Sequence, residues 1–116
     1  MSLEDMLRKA RMACGSDAIA VVSRDGVIVT GDLPDGISKE TFSIMCATIM
    51  GAGMTAANEI GRTPPAKVLM QSKDLQLIIV ESGRRAMIVA ALPAGSDAQT
   101  IMRELENLAT AVASEI

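Results

Sequence analysis

Residues 41–61 read TFSIMCATIMGAGMTAANEIG, and no charged residue occurs from Thr41 to Asn58. Ser38, just before this stretch, is a favoured helix N-cap, while the glycine that closes the stretch and the prolines shortly beyond it are favoured stops. The pattern therefore predicts one long helix that is capped by Ser38 and runs to Ile60. At about 1.5 Å per residue, such a helix spans roughly 35 Å.

Runs typical of β-strands flank this helix on both sides. They are short, rich in Val, Ile and Leu, and separated by turn residues; they lie at 18–23, 27–30, 66–72, 75–81 and 85–92. Asp25-Gly26 between the first two is a strong hairpin-turn signal. The other turns are also tight, so the neighbouring strands are expected to be antiparallel.

Two terminal helices complete the predicted chain. Apolar residues recur at helical spacing over 3–13, after a capping pair formed by Ser2 and Asp5. Ser96 with Gln99 predicts the start of the last helix in the same way. The element order is therefore αββαβββα. It predicts an α+β fold in which a five-stranded antiparallel sheet carries a long central helix and two terminal helices, within one domain of residues 1–116.

Composition removes several classes of function. The chain has 116 residues, a net charge of −3, one aromatic residue, two cysteines and no histidine. Without histidine, the common acid–base and nucleophilic sites are not available, and two cysteines are too few for a zinc site. Nucleic-acid binding needs clustered basic residues and stacking aromatics, which are absent. We therefore expect no enzyme activity, no cofactor, no metal, no nucleic-acid partner and no membrane insertion, in a cytoplasmic protein.

The glycines of the central helix allow more than one interpretation. Gly51-Ala52-Gly53-Met54-Thr55-Ala56 matches the letters of a dinucleotide-binding motif, but that motif needs a strand, a glycine turn and then a helix start. Here the glycines fall inside a helical pattern, so we favour close packing. Glycine in a helix costs about 0.5–1 kcal/mol relative to alanine, which a close neighbour must offset. That neighbour is either the protein's own sheet or another chain.

The absence of charge on the central helix predicts an interaction surface. A helix that covers a sheet normally has a charged outer side. Five residues are expected to face the sheet, namely Phe42, Met45, Ile49, Gly53 and Ile60. The side opposite them is small and neutral, and we assign partner binding to Thr48, Ala52, Thr55 and Ala56. Cys14 and Cys46 are interpreted as small buried apolar residues.

Three stretches resemble the roadblock/dynein light chain family, in its prokaryotic stand-alone form. They are GSDAIAVVSRDGVIV at 15–29, TFSIMCATIMGAGMTAANEIG at 41–61 and QLIIVESGRRAMIVAAL at 76–92. The resemblance implies a profilin-like roadblock architecture and a dimer, with itself or with a paralogous roadblock chain, in which central strands pair into one sheet. It also implies regulation or scaffolding of small Ras-like GTPases.

The predicted dimer contact uses a sheet edge and one side of the central helix. Strand 66–72 is the best candidate for an edge that pairs with itself across a twofold axis. The residues assigned to the contact are Ala66, Val68, Met70, Ser72, Ala47 and Gly51. The uncharged central helix and the missing catalytic groups indicate a non-enzymatic binding protein, and the resemblance implies that it is a dimeric regulator or scaffold of a small Ras-like GTPase. The alternative is a small-molecule sensor domain of similar α+β architecture.

Overall fold

The order of helices and strands agrees with the sequence prediction. The computed structural model describes all 116 residues. The elements are α1 Leu3–Cys14, β1 Ala18–Ser23, β2 Ile28–Asp32, α2 Lys39–Glu59, β3 Lys67–Gln71, β4 Leu75–Ser82, β5 Ala86–Pro93 and α3 Ala98–Ala113. No helix combines the length and the apolarity that crossing a membrane requires.

The second strand starts later than predicted. Val27 belongs to the turn, because its N–H donates to Ser23 Oγ at 3.0 Å and its carbonyl accepts from the Ser23 N–H at 2.8 Å. Gly26 has a φ of 92°, a conformation that glycine adopts readily. The Asp-Gly signal therefore gave the correct hairpin, while the side-chain bond of Ser23 moved the start of β2 by one residue.

The five strands form one antiparallel sheet in the order β2-β1-β5-β4-β3. β5 lies at the centre and pairs with β1 on one side and β4 on the other. β2 and β3 are the edges. The α+β class, the five-stranded antiparallel sheet and the edge position of β3 are thus confirmed.

Helices cover both faces of the sheet. One core contains Leu7 of α1 and Leu105 of α3 against strand residues such as Ile78 and Ile88. The second core lies under α2; its members are Ala20, Val22, Cys46, Met50, Leu77, Ile79, Met87 and Val89. Neighbouring strand residues belong to opposite cores because side chains alternate between the two faces. This explains why β4 and β5 are apolar at consecutive positions.

The buried side of α2 agrees only in part with the predicted one: Phe42 and Ile49 are partly buried against the core, as expected. Ser43, Cys46 and Met50 are buried, at spacings of three and four residues, whereas Met45 is 49% exposed and Ile60 is 73% exposed. The expectation that Met45 and Ile60 face the sheet was wrong. The helix carries apolar residues on all sides, so its sequence has no polar side from which to identify the buried one.

The N-cap of α3 is Asp97 rather than the predicted Ser96. The Asp97 carboxylate accepts from the Thr100 N–H at 3.2 Å and from the Thr100 hydroxyl at 2.8 Å. The Ser96 carbonyl instead accepts from the side-chain amide of buried Gln76 at 2.9 Å. Serine and aspartate are both good caps. The bond from Gln76 fixes the loop and leaves Asp97 at the start of the helix.

Replacing Asp97 with alanine is expected to lower the urea midpoint of unfolding, whereas Ser96→Ala is expected to leave it nearly unchanged. The hydrogen bonds from Thr100 lower the pKa of the Asp97 carboxyl in the folded state. A lowered folded-state pKa contributes stability above the unfolded pKa, and that contribution is lost as pH falls through the folded value. The difference between the two variants should therefore shrink on acidification. Equal midpoints for both variants at neutral pH would contradict the assigned cap.

Candidate interaction surface on α2 and the β3 edge

β3 is a short edge strand with one free side. It pairs only with β4, so the backbone groups on its outer side have no partner strand. Of the residues predicted for the dimer contact, Ala66, Met70 and Ser72 are exposed, and Val68 is half-buried beneath α2. An unprotected edge of this kind is a template for pairing with another strand.

Exposed apolar side chains lie on this edge strand and at the end of α2. Leu69 and Met70 of β3 are 42% and 39% exposed, and Ile60 at the end of α2 is exposed as well. Sequence reasoning placed Ile60 inward and assigned no contact to Leu69. The missed signal was that the helices cover an edge strand only in part: α2 half-buries Val68 on one face, while Leu69 beside α3 on the other face stays exposed. Water-exposed side chains of this size favour a partner surface.

The four residues predicted to bind a partner all lie on the exposed side of α2, namely Thr48, Ala52, Thr55 and Ala56. The Thr48 hydroxyl donates to the Ile44 carbonyl at 2.8 Å, so this polar group is satisfied within the helix. Ile44 and Met45 add half-exposed apolar side chains. These residues together form an exposed, uncharged surface along one side of α2.

Ala47 and Gly51 lie apart from the other four predicted contact residues, which belong to β3 and its two flanking positions, Ala66 and Ser72. Both line a pocket with Arg24 and Arg84, which come from the tips of the β1–β2 and β4–β5 hairpins. A Cβ added to Gly51 would meet no atom within 4 Å, so packing inside this chain does not explain that glycine. A Cβ added to Gly53 would lie 3.4 Å from Pro65 Cγ, which is contact with the protein's own chain.

The two cysteines are not activated thiols. Cys46 is 1% exposed, and burial raises its pKa to about 11. Burial, followed by the charge of Glu104, also raises the pKa of half-buried Cys14. Both thiols are therefore neutral near pH 7, and neutral thiols are poor nucleophiles and metal ligands. The interpretation of Cys46 as a small buried apolar residue is confirmed.

The dinucleotide-like letters occupy the middle of a helix. Gly51 to Ala56 lie inside α2, far from its start and not after a strand. The arrangement therefore lacks the backbone N–H groups at a helix start that hold a pyrophosphate. No three His, Cys, Asp or Glu side chains are grouped so that they could hold a metal ion.

A family model that matches more than half of the sequence shows the family to which this chain belongs. Residues 3–91 match the model of the Roadblock/LC7 domain. The chain belongs to the roadblock/LC7 family. The matched part of this roadblock domain includes the free β3 edge and the whole of α2, whereas α3 lies beyond it. The roadblock/LC7 family is a family of regulatory and scaffolding domains.

Solved structures share the fold of this roadblock domain. A Roadblock/LC7 domain from Streptomyces avermitilis has a TM-score of 0.90 at 14% identity, over 99% of this chain and 98% of that chain. An MglB with a tetrameric arrangement has a TM-score of 0.88 at 16% identity, over 97% and 85%. Profilin II of Acanthamoeba castellanii has a TM-score of 0.73 at 14% identity, over 98% of each chain. These likenesses confirm the predicted profilin-like roadblock fold.

Gly51→Ala is expected to raise the free energy of unfolding by about 0.5–1 kcal/mol, because alanine is the better helix residue and the added methyl meets no neighbour. Gly26→Ala is the matched contrast. It should destabilise the protein, because Gly26 has a positive φ and its added Cβ would lie 3.2 Å from Ile44 Cα. Urea unfolding of both variants measures the difference. A destabilised Gly51→Ala would show that Gly51 is packed within the chain.

Proposed function

We propose that this roadblock domain is a dimeric, non-enzymatic regulator or scaffold that binds a small Ras-like GTPase in the cytoplasm. The observation that carries the proposal is the uncharged, exposed side of α2 in a chain that also has a free β3 edge. Neither feature is needed by the isolated fold. Family membership supports the regulatory or scaffolding part of the proposal.

The dimer is proposed to form through β3. Two copies of an antiparallel edge strand can pair across a twofold axis, so that each satisfies the free backbone groups of the other. Ala66, Val68, Met70 and Ser72 would lie along this seam, and the exposed side chain of Leu69 would be covered. The partner is a second copy or a paralogous roadblock chain. The tetrameric arrangement of a similar MglB supports self-association.

Dimerisation strengthens the case for partner binding on α2. Full burial of a large apolar side chain stabilises a complex by about 1.5–3 kcal/mol, and small residues such as Ala52 and Thr55 give less. Association costs on the order of 4–15 kcal/mol. One α2 alone therefore holds a partner poorly, while two α2 helices on one face of a joined sheet offer twice the surface. We infer that the GTPase contacts both protomers.

The protein is expected to scatter light as a dimer at micromolar concentration. Met70→Lys should shift it towards monomer, because a lysine on an edge strand opposes pairing. Met12→Lys is the matched control, since Met12 is 78% exposed on α1, on the other face of the sheet. Multi-angle light scattering checks both variants. A wild-type monomer, or dimers in all three proteins, would contradict pairing through β3.

Partner binding is tested with the Ras-like GTPases of the source genome, each loaded with GDP or with a non-hydrolysable GTP analogue. The double variant Ala52→Arg with Ala56→Glu should lose binding while remaining folded and dimeric. Met12→Arg should bind normally. Interferometry measures affinity, and light scattering checks assembly. A double variant that unfolds or becomes monomeric would place this side in the core or the dimer contact. Normal binding would move the docking surface elsewhere.

A further inference from the structure

A pocket of about 370 Å³ lies between one flank of α2 and the tips of two hairpins. Its apolar lining includes Met50 and Met87, which are buried, and Met54, which is partly exposed. Arg24 of the β1–β2 turn and Arg84 of the β4–β5 turn are its charged lining residues. The pocket therefore combines a soft apolar floor with two guanidinium groups.

Arg24 is held in place but is not fully satisfied. Its Nη2 donates to Glu81 Oε2 at 3.3 Å and to the Gly83 carbonyl at 3.1 Å. Its Nη1 donates only to Met54 Sδ, at 3.6 Å, and its buried Nε has no partner. A thioether is a weak hydrogen-bond acceptor. The fixed Arg24 guanidinium therefore still has N–H groups that can donate to a stronger acceptor.

Arg84 has no partner within the chain. Its side chain takes part in none of the salt bridges or side-chain hydrogen bonds of the structure, and it is exposed at the pocket. Around it, Arg24 is paired with Glu81, Asp25 is bonded to Ser23, and Arg85 is also unpaired. The hairpin tips thus carry excess positive charge on a protein whose net charge is −3.

Gly51 keeps the pocket open. It lines the pocket, and a Cβ added there would meet no atom of this chain within 4 Å. A glycine inside a helix has a cost that close packing does not offset at this position. Gly51 thus leaves this part of the pocket lining without a side chain.

We propose that this pocket binds a carboxylate carried on a short aliphatic chain. Guanidinium groups match the planar carboxylate with paired hydrogen bonds, and methionine side chains adapt to an aliphatic body. Guanidinium groups also pair with phosphate, so the aliphatic body that packs on the methionine floor is the feature that selects the proposed ligand class. Ala47 and Gly51 then serve a ligand site rather than the contact between protomers.

The test uses protein labelled with carbon-13 in its methionine methyl groups and titrated with sodium hexanoate. The Met50, Met54 and Met87 methyl signals should move and saturate, while the Met12 signal on α1 stays in place. Hexan-1-ol, which has the same chain without the carboxylate, should cause much smaller shifts. Absence of saturable shifts with hexanoate, or equal shifts with hexan-1-ol, would overturn the proposal.

Variants of Arg84 and Arg85, which are neighbours on the β4–β5 turn, show which arginine contacts the carboxylate. Arg84→Gln should weaken hexanoate binding roughly tenfold, because it removes a charged hydrogen-bond donor. Arg85→Gln, on the same turn but outside the pocket lining, should bind as the wild type does. Gly51→Leu should abolish the shifts by filling the pocket, with unchanged signals elsewhere showing that the fold persists. Equal weakening by Arg84→Gln and Arg85→Gln would refute the assigned site.

A second ligand tests whether the bound carboxylate belongs to a protein side chain or to a free aliphatic acid. The capped peptide acetyl-Ala-Glu-Ala-amide presents its carboxylate on a glutamate side chain, as a docked protein would. Tighter binding of the peptide than of hexanoate supports the proposal with a protein side chain as the occupant. Tighter binding of hexanoate supports it with a free aliphatic acid. The experiment needs no GTPase, so its result is independent of the function proposed above.

Discussion

Burial of the central strands on both faces is the constraint on which the rest of the structure depends. Ile78 and Ile88 point into the core under α1 and α3, while Ile79 and Val89 point into the core under α2. Strands this apolar at consecutive positions are stable only when helices cover both sides. Two helices cover one face, and α2 covers the other.

A single helix leaves part of its face of the sheet uncovered. α2 packs its residues Cys46 and Met50 over the middle strands, and only the flank near Gly53 reaches β3. Met70, on this face, consequently remains in contact with water at the free edge, and Leu69, which pairs with Ile78 and lies on the face of α1 and α3, is exposed there as well. The same arrangement that completes the core therefore leaves the surface on which the proposed dimer depends.

The hairpin tips add a second consequence of this layout. Arg24 joins the β1–β2 tip to the β4–β5 tip through Glu81 and the Gly83 carbonyl, at the place where α2 crosses them. The juxtaposition of the two tips depends on β1 pairing with β5, a contact between strands that are far apart in the sequence.

The sequence by itself determined the element order, the antiparallel hairpins and the family, because these depend on local signals such as Asp25-Gly26, the Ser38 cap and the apolar runs. Only the tertiary structure decided which side of α2 is buried, since the helix is apolar all round and its orientation is set by packing on the sheet. It also decided that Asp97 caps α3, through the bond from Gln76. Gly51, Arg24 and Arg84 meet only after the strands pair, so no local pattern could have placed them in one pocket.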